Sequence, residues 1–179
     1  ASGGSAANSI AGVASFGGRG AFLGKVADDQ LGKVFTHDMR AIGAHFDTPP
    51  LLDGKATAVS MINVTPDGER TMSTFLGAST EFASADIDPA VIEAAKIVYL
   101  EGYLWDPEEP RAAMKQAIAA SRAAGRKVAF TSSDAFVIER YGDDFRALID
   151  AGQIDILFAN EVELAALTGQ QDFEAGIAQ

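Results

Sequence analysis

The chain has 179 residues, 47% hydrophobic and 22% charged, with a formal net charge of −11 and no cysteine. Length and balance indicate one globular domain with a sizeable core and exclude a disordered chain. The acidic surplus argues against a nucleic-acid groove, and no apolar run approaches the roughly 18 residues of a membrane span. Without cysteine there are no disulfides or thiolate zinc sites, which suits a reducing cytoplasm. Two histidines, His37 and His45, exclude a multi-histidine metal site but leave hard oxygen ligands for magnesium open. The start, Ala1-Ser2-Gly3, has neither a methionine nor a signal-peptide pattern and reads as an internal cut.

In chain order, residues 8–16 read as a short helix with Ile10, Val13 and Ala14 inward, stopped by Gly17-Gly18. The asparagine of "GGSAANS" (residues 3–9) sits where that helix starts. It reads either as a helix cap or as a donor and acceptor for a hydroxyl-rich ligand lying on exposed backbone N–H groups. "FGGRG" (16–20) follows a helix and lacks the ending of a P-loop or dinucleotide turn, so a helix stop accounts for it better than a phosphate loop. "AFLGKVA" (21–27) reads as a short apolar strand. Asp28 or Asp29 then caps a helix with Leu31, Val34, Phe35, Met39 and Ile42 at helical spacing, ended by Gly43, with His37 on its solvated face.

"TAVSMINV" and "TMSTFLGA" flank Thr65-Pro66-Asp67-Gly68-Glu69-Arg70, which predicts a hairpin with one face open to solvent or ligand. Strict alternation follows. Asp88-Pro89 starts a helix to about Ala95, "IVYLEGY" is a strand, and 107–124 is a helix closed by Gly125. "KVAFTS" is a strand, 135–151 a helix interrupted near Gly142, and "IDILFAN" a strand. Glu161 to Thr168 is a helix ended by Gly169, and Asp172 begins another element. Buried strands alternating with amphipathic helices imply parallel βαβ units. The expected architecture is an incomplete α/β core, residues 1–56 and 79–179, with a β-hairpin lid over 57–78.

Parallel sheets bind ligands beyond the carboxyl ends of their strands, which singles out Glu101-Gly102-Tyr103, Ser132-Ser133-Asp134 and Asn160-Glu161-Val162-Glu163. Asn160 and Glu163 are one turn apart and can face one side of the crevice. They suit either an outer-sphere site for hydrated magnesium or a capping-box start to the helix, and spacing alone favours capping. Tyr103 and Trp105 fit stacking on a flat base or packing at the core and its rim, and Arg70 reads as a solvated charge unless the hairpin closes over a ligand. No Ser-His-Asp set can be assembled.

Three segments in order, "GGSAANS", "FLGKVADDQLGKVFTHDMRAIGAHFDT" and "LFANEVELAALTG", resemble the signatures of the PfkB/ribokinase family of sugar and nucleoside kinases. "NSI" and "DGERTMSTFLGAS" look closest to its adenosine kinase-like, purine-salvage members. The resemblance implies a ribokinase-like, Rossmann-like fold, with a mostly parallel sheet flanked by helices and a small β-sheet lid. It also implies transfer of a phosphoryl group from ATP, with Mg, to a small-molecule nucleoside or sugar. Gly3 and Gly4 would form a hinge with backbone N–H groups near the substrate, and Asn8 would bind ribose or sugar hydroxyls. Arg70, Met72 and Thr74 would project from the lid, Tyr103 would lie at the substrate, and Asn160 and Glu163 would organise magnesium and phosphates without a direct metal ligand. The family's first strand, with its sugar-binding Asp, and its later Asp-Thr-x-Gly-Ala-Gly-Asp segment, with the catalytic Asp, are both missing. The base is therefore expected beyond Gln179, and this stretch alone is not expected to turn over.

The leading expectation is thus an ATP-dependent kinase acting on adenosine or a related nucleoside. Alternatives are a ribose, fructose or ketodeoxy-sugar kinase, a non-catalytic ligand-binding relative, and a Rossmann oxidoreductase, which lacks its Gly-x-Gly-x-x-Gly turn. The exposed hairpin edge leaves room for a homodimer through the lid.

Overall fold

The structure, a computed structural model, describes residues 2–179; Ala1, the first residue of the expected core segment, lies outside them. The chain divides into two compact units, one ending at Asp86 and the other running Ile87–Gln179.

In the first unit Gly4, at φ +111°, leads into helix α1 (Ser5–Ser15). The small residues Ser5-Ala6-Ala7 let the helix begin a turn earlier than expected. Asn8 is therefore not its cap: its N–H donates to the Gly4 carbonyl at 2.8 Å and its side chain is exposed. The N–H groups of Gly17 (φ +78°) and Gly18 close the helix onto the Ala14 and Val13 carbonyls, so "FGGRG" is a helix stop. Ala7 is buried, Ile10 and Ala14 half-buried, and Val13, expected inward, is exposed.

The expected strand over 21–27 pairs only at its ends, as parallel bridges Ala21 to His45 and Ala27 to Leu51. The two bridges keep one register, but the ladder is not continuous between them. Asp29 caps helix α2 (Gln30–Ala41), accepting from the Gly32 N–H at 2.7 Å, and Gly43 at φ +81° follows its end. Its packed stripe is Gly32, Phe35 and Met39; Leu31, Val34 and Ile42 are exposed. Phe46 meets Phe22 and Phe35 edge to face, and Phe22 and Phe35 are tilted to each other, all with centroids 5.4–5.6 Å apart, around Met39, Val26, Ala44 and Ala7.

Strands β1 (Val59–Val64) and β2 (Arg70–Phe75) pair antiparallel, from Val59 opposite Phe75 to Val64 opposite Arg70. Gly68 takes φ +88° in the turn, where the Thr65 hydroxyl also bonds the Asp67 carboxylate. Both faces of this hairpin are exposed, not one.

The second unit holds a parallel sheet in the order β3-β4-β5. Helix α3 (Pro89–Ala94), capped by Asp88, precedes β3 (Ile97–Glu101). Helix α4 (Glu108–Ala123) leads to β4 (Lys127–Thr131), and α5 (Ala135–Asp150) to β5 (Ile156–Phe158). Helix α6 (Glu161–Thr168) ends at left-handed Gly169, and α7 (Phe173–Ile177) follows its Asp172 cap. Helix α5 runs unbroken through Gly142, which is buried in its packed face, so the expected interruption is absent. Strand β5 is shorter than "IDILFAN" because its flanks are used otherwise. The Asp155 carboxylate takes the Val128 N–H at 2.7 Å, and Asn160 caps α6. The core is Trp105, Phe130 and Phe145, edge to face at 4.9–6.1 Å, with Met114, Val137, Ile138 and Leu167. Among the described residues no helix is long and apolar enough to cross a membrane.

Candidate functional site

Because β3, β4 and β5 run parallel, their carboxyl ends share one edge, and the segments that leave it begin at Gly102, Ser132 and Ala159. Gly102 is buried against the neighbouring strand end: a Cβ there would lie 2.8 Å from the Ser132 carbonyl oxygen. Ser133, at φ +72°, is the one non-glycine residue with positive φ among the described residues, and backbone strain of this kind collects at functional edges. Its N–H and hydroxyl both turn back onto Thr131, at 3.3 Å, and Asp134 then caps α5.

Across from this turn, Asn160 caps α6, its Oδ1 accepting from the Glu163 N–H at 2.8 Å. Glu163 does not complete a capping box. Its carboxylate bonds two side chains instead: Oε1 accepts from the Asn160 side-chain amide and Oε2 from the Ser132 hydroxyl, both at 2.7 Å. The residue is only 8% exposed. Asn160 thus caps the helix, as spacing favoured, and also helps to hold the Glu163 carboxylate.

Tyr103 is part-exposed above the same edge. Burial raises its phenol pKa, and the negative charges of Asp134, Glu163 and Glu101 raise it further. Trp105 is not available to a flat ligand: it is fully buried, with its indole N–H donating to Asp144 at 3.0 Å. A shallow depression lined by Ala159, Asn160, Glu161, Val162 and Phe173 opens beside Asn160.

The donor set bears on magnesium. Among the described residues no group of three or more His, Asp and Glu side chains is placed to enclose a metal. Both oxygens of Glu163 already accept from protein donors, which suits contact through the water shell of a hydrated magnesium, an ion that gives up its waters reluctantly.

In the first unit, Gly3, Gly4 and Asn8 lie exposed around the start of α1, and no atom stands within 4 Å of a Cβ built at either glycine. Arg70, Met72 and Thr74 share one face of β2 and are exposed, opposite Val64, Ile62 and Ser60. Thr74 and Ser60 join hydroxyls at 2.8 Å. Ser132 is the residue whose role sequence reasoning missed. Its junction stood out as a strand end, but its partner lies 31 residues on in another element.

The sequence family described as pfkB family carbohydrate kinase matches residues 1–179. This chain is a member of that family. The pfkB-family chain is 51% identical to the adenosine kinase of Sinorhizobium meliloti, covering 99% of this chain and 54% of that one, with a TM-score of 0.95. It is 46% identical, over the same shares and at the same TM-score, to a protein of Rhizobium etli CFN 42 described as a "probable sugar kinase". Fructokinase-2 of Solanum habrochaites is 25% identical over 97% of this chain and 54% of its own length. The chain thus spans about half the length of these relatives. The ribokinase-like α/β class holds, with a parallel sheet flanked by helices and a small antiparallel sheet.

Proposed function

We propose that the full-length protein containing this pfkB-family chain is an ATP-dependent kinase that phosphorylates a hydroxyl of adenosine or a related ribose-containing nucleoside. The observation that carries this reading is the 51% identity and matching fold with the Sinorhizobium meliloti adenosine kinase. The Rhizobium etli protein and the fructokinase support a second reading with a sugar acceptor. When bound, magnesium-ATP supplies the phosphoryl group and the cation that neutralises its charge. Glu163, fixed by Ser132 and Asn160, would hold water of the cation's shell, and Asn160 would serve the phosphates.

On the same reading Gly3 and Gly4 give a hinge and backbone N–H groups for the acceptor, and the positive φ of Gly4 supports this. Asn8 binds its hydroxyls and Tyr103 lines the acceptor site. Residues 57–78 close as a lid on the core of 1–56 and 79–179, with Arg70, Met72 and Thr74 facing the acceptor and water kept out. The general base comes from chain beyond Gln179. A cytoplasmic protein, where ATP is supplied, that pairs through its hairpins as a homodimer completes the proposal.

The test is ATP consumption with magnesium by the full-length protein, offered adenosine, other nucleosides, ribose, fructose and ketodeoxy sugars separately. Turnover with adenosine is the expected result. Turnover with a sugar alone overturns the acceptor and keeps the kinase. No turnover with any of them would sink the kinase reading in favour of a binding relative.

A further inference from the structure

Every residue of β1 and β2 is exposed, so the direction of the hairpin is set where its arms enter the first unit. At the entry, Thr57 is buried and triply bonded. Its N–H donates to Asp29 Oδ2 at 2.8 Å, its hydroxyl donates to Asp29 Oδ1 at 2.7 Å, and its Oγ1 accepts from the Ala27 N–H at 2.9 Å. At the exit, the Ala78 N–H donates to the Ala56 carbonyl at 2.8 Å, and Gly77 passes so close that a Cβ would lie 2.2 Å from that same oxygen. Lys55 adds bonds to Thr80 and Glu81, each at 2.7 Å.

We propose that Asp29 is a positioning residue that pins the hairpin root by holding Thr57 against the start of α2, and so sets where Arg70, Met72 and Thr74 are presented. A helix cap needs one carboxylate oxygen and one N–H. Asp29 does more: Oδ1 serves both Gly32 and the Thr57 hydroxyl, while Oδ2 is given wholly to the Thr57 N–H. The glycine three residues on has a matching reason. A Cβ at Gly32 would lie 2.0 Å from the Ala27 carbonyl oxygen and 3.0 Å from Thr57 Oγ1, so a side chain there would force the network apart. The Asp-x-x-Gly of "ADDQLG" thereby has a task beyond starting a helix. For catalysis the inference rests on the reading of the hairpin as a lid.

The test separates pinning from capping. In the full-length protein, His37 and Glu69, both exposed, are replaced by cysteine and spin-labelled, since this stretch has no cysteine of its own. The label-to-label distance distribution then reports hairpin direction without any substrate. Asp29→Asn keeps an oxygen for the Gly32 N–H but turns an NH2 group toward the Thr57 N–H. The expected result is a distribution at least twice as broad, or a shifted mean, in Asp29→Asn and in Thr57→Val, with the narrow one restored in Thr57→Ser. Unchanged distributions in Asp29→Asn and Thr57→Val overturn the proposal and leave Asp29 a cap. The lid reading fails separately, if Arg70→Ala leaves the acceptor KM unchanged while the distances still respond to Asp29.

Discussion

The Ser132 hydroxyl donates to Glu163 Oε2 at 2.7 Å, tying the end of β4 to the first turn of α6. With the Asn160 amide on the other oxygen, a buried carboxylate is held at the carboxyl edge of a parallel sheet in one orientation. Side chains there are aimed by the strand ends beneath them, and this one is aimed by hydrogen bonds from two elements.

Removing the donor and removing the charge have different outcomes. Ser132→Ala leaves one oxygen of a buried carboxylate without its donor, so a stability loss of about 1–3 kcal/mol is expected in chemical denaturation. Glu163→Gln keeps the shape: its oxygen can still accept from Asn160, and its amide can donate to Ser132, whose hydroxyl also accepts. Little change in stability is expected; on the proposed function, kcat of the full-length protein should be at least tenfold lower and its magnesium requirement raised. A Glu163→Gln protein with unaltered kcat would take away the magnesium role proposed for Glu163.

Gly102 tests the closeness of strand ends. Gly102→Ala places a methyl 2.8 Å from the Ser132 carbonyl oxygen, a backbone atom that cannot swing aside. A loss of about 1–3 kcal/mol is expected from this overpacking. At Gly68, where a Cβ meets nothing within 4 Å but φ is +88°, alanine carries only the left-handed backbone cost of roughly 1–2 kcal/mol, confined to the hairpin turn. Thermal unfolding of the two variants should therefore show the core transition lowered by the first and not by the second.

Local signals were legible in the sequence. Helix α6 has its expected bounds because Asn160 and Gly169 mark both ends by residue chemistry alone. The same holds for α3 after Asp88-Pro89 and for the Pro-Asp-Gly hairpin turn. What failed depended on distant partners. Residues 21–27 have strand composition, yet only their ends find a ladder, at His45 and Leu51. Gly142 has breaker composition, yet its burial in the packed face of α5 carries the helix through. The Ser132–Glu163 and Asp29–Thr57 bonds span 31 and 28 residues, and no periodicity within a helix or strand reports them.

Two carboxyls should shape the acid limb of the stability curve. Asp29 is held below its ordinary value of 3.8, first by the Thr57 N–H, against an opposing effect of burial. Asp155 is lowered first by the Val128 N–H and then by Arg122. A lowered folded pKa contributes stability that is present above the unfolded value and lost as pH falls through the folded one. Stability should therefore decline as pH drops below about 4, and Asp155→Asn should flatten that decline. Denaturation midpoints measured from pH 7 to pH 2 check this; parallel curves for wild type and variant would count against it.

The hairpin's second face bears on self-association. Strand alternation puts Val59, Met61 and Phe75 on the face opposite Arg70, Met72 and Thr74, and all three are exposed, Met61 by 67%. A two-stranded ribbon bare on both faces is marginal alone in water, so covering this face by a second copy would stabilise it and leave the Arg70 face open. Met61→Asp should therefore convert a dimer to a monomer. As a surface change it should move monomer stability by no more than about 0.5 kcal/mol. Sedimentation velocity on the full-length protein distinguishes the outcomes: a wild-type mass twice the monomer, halved in Met61→Asp, is expected. A wild type that sediments as a monomer at every concentration would leave this apolar face without a second copy, and pairing through the hairpin would be wrong.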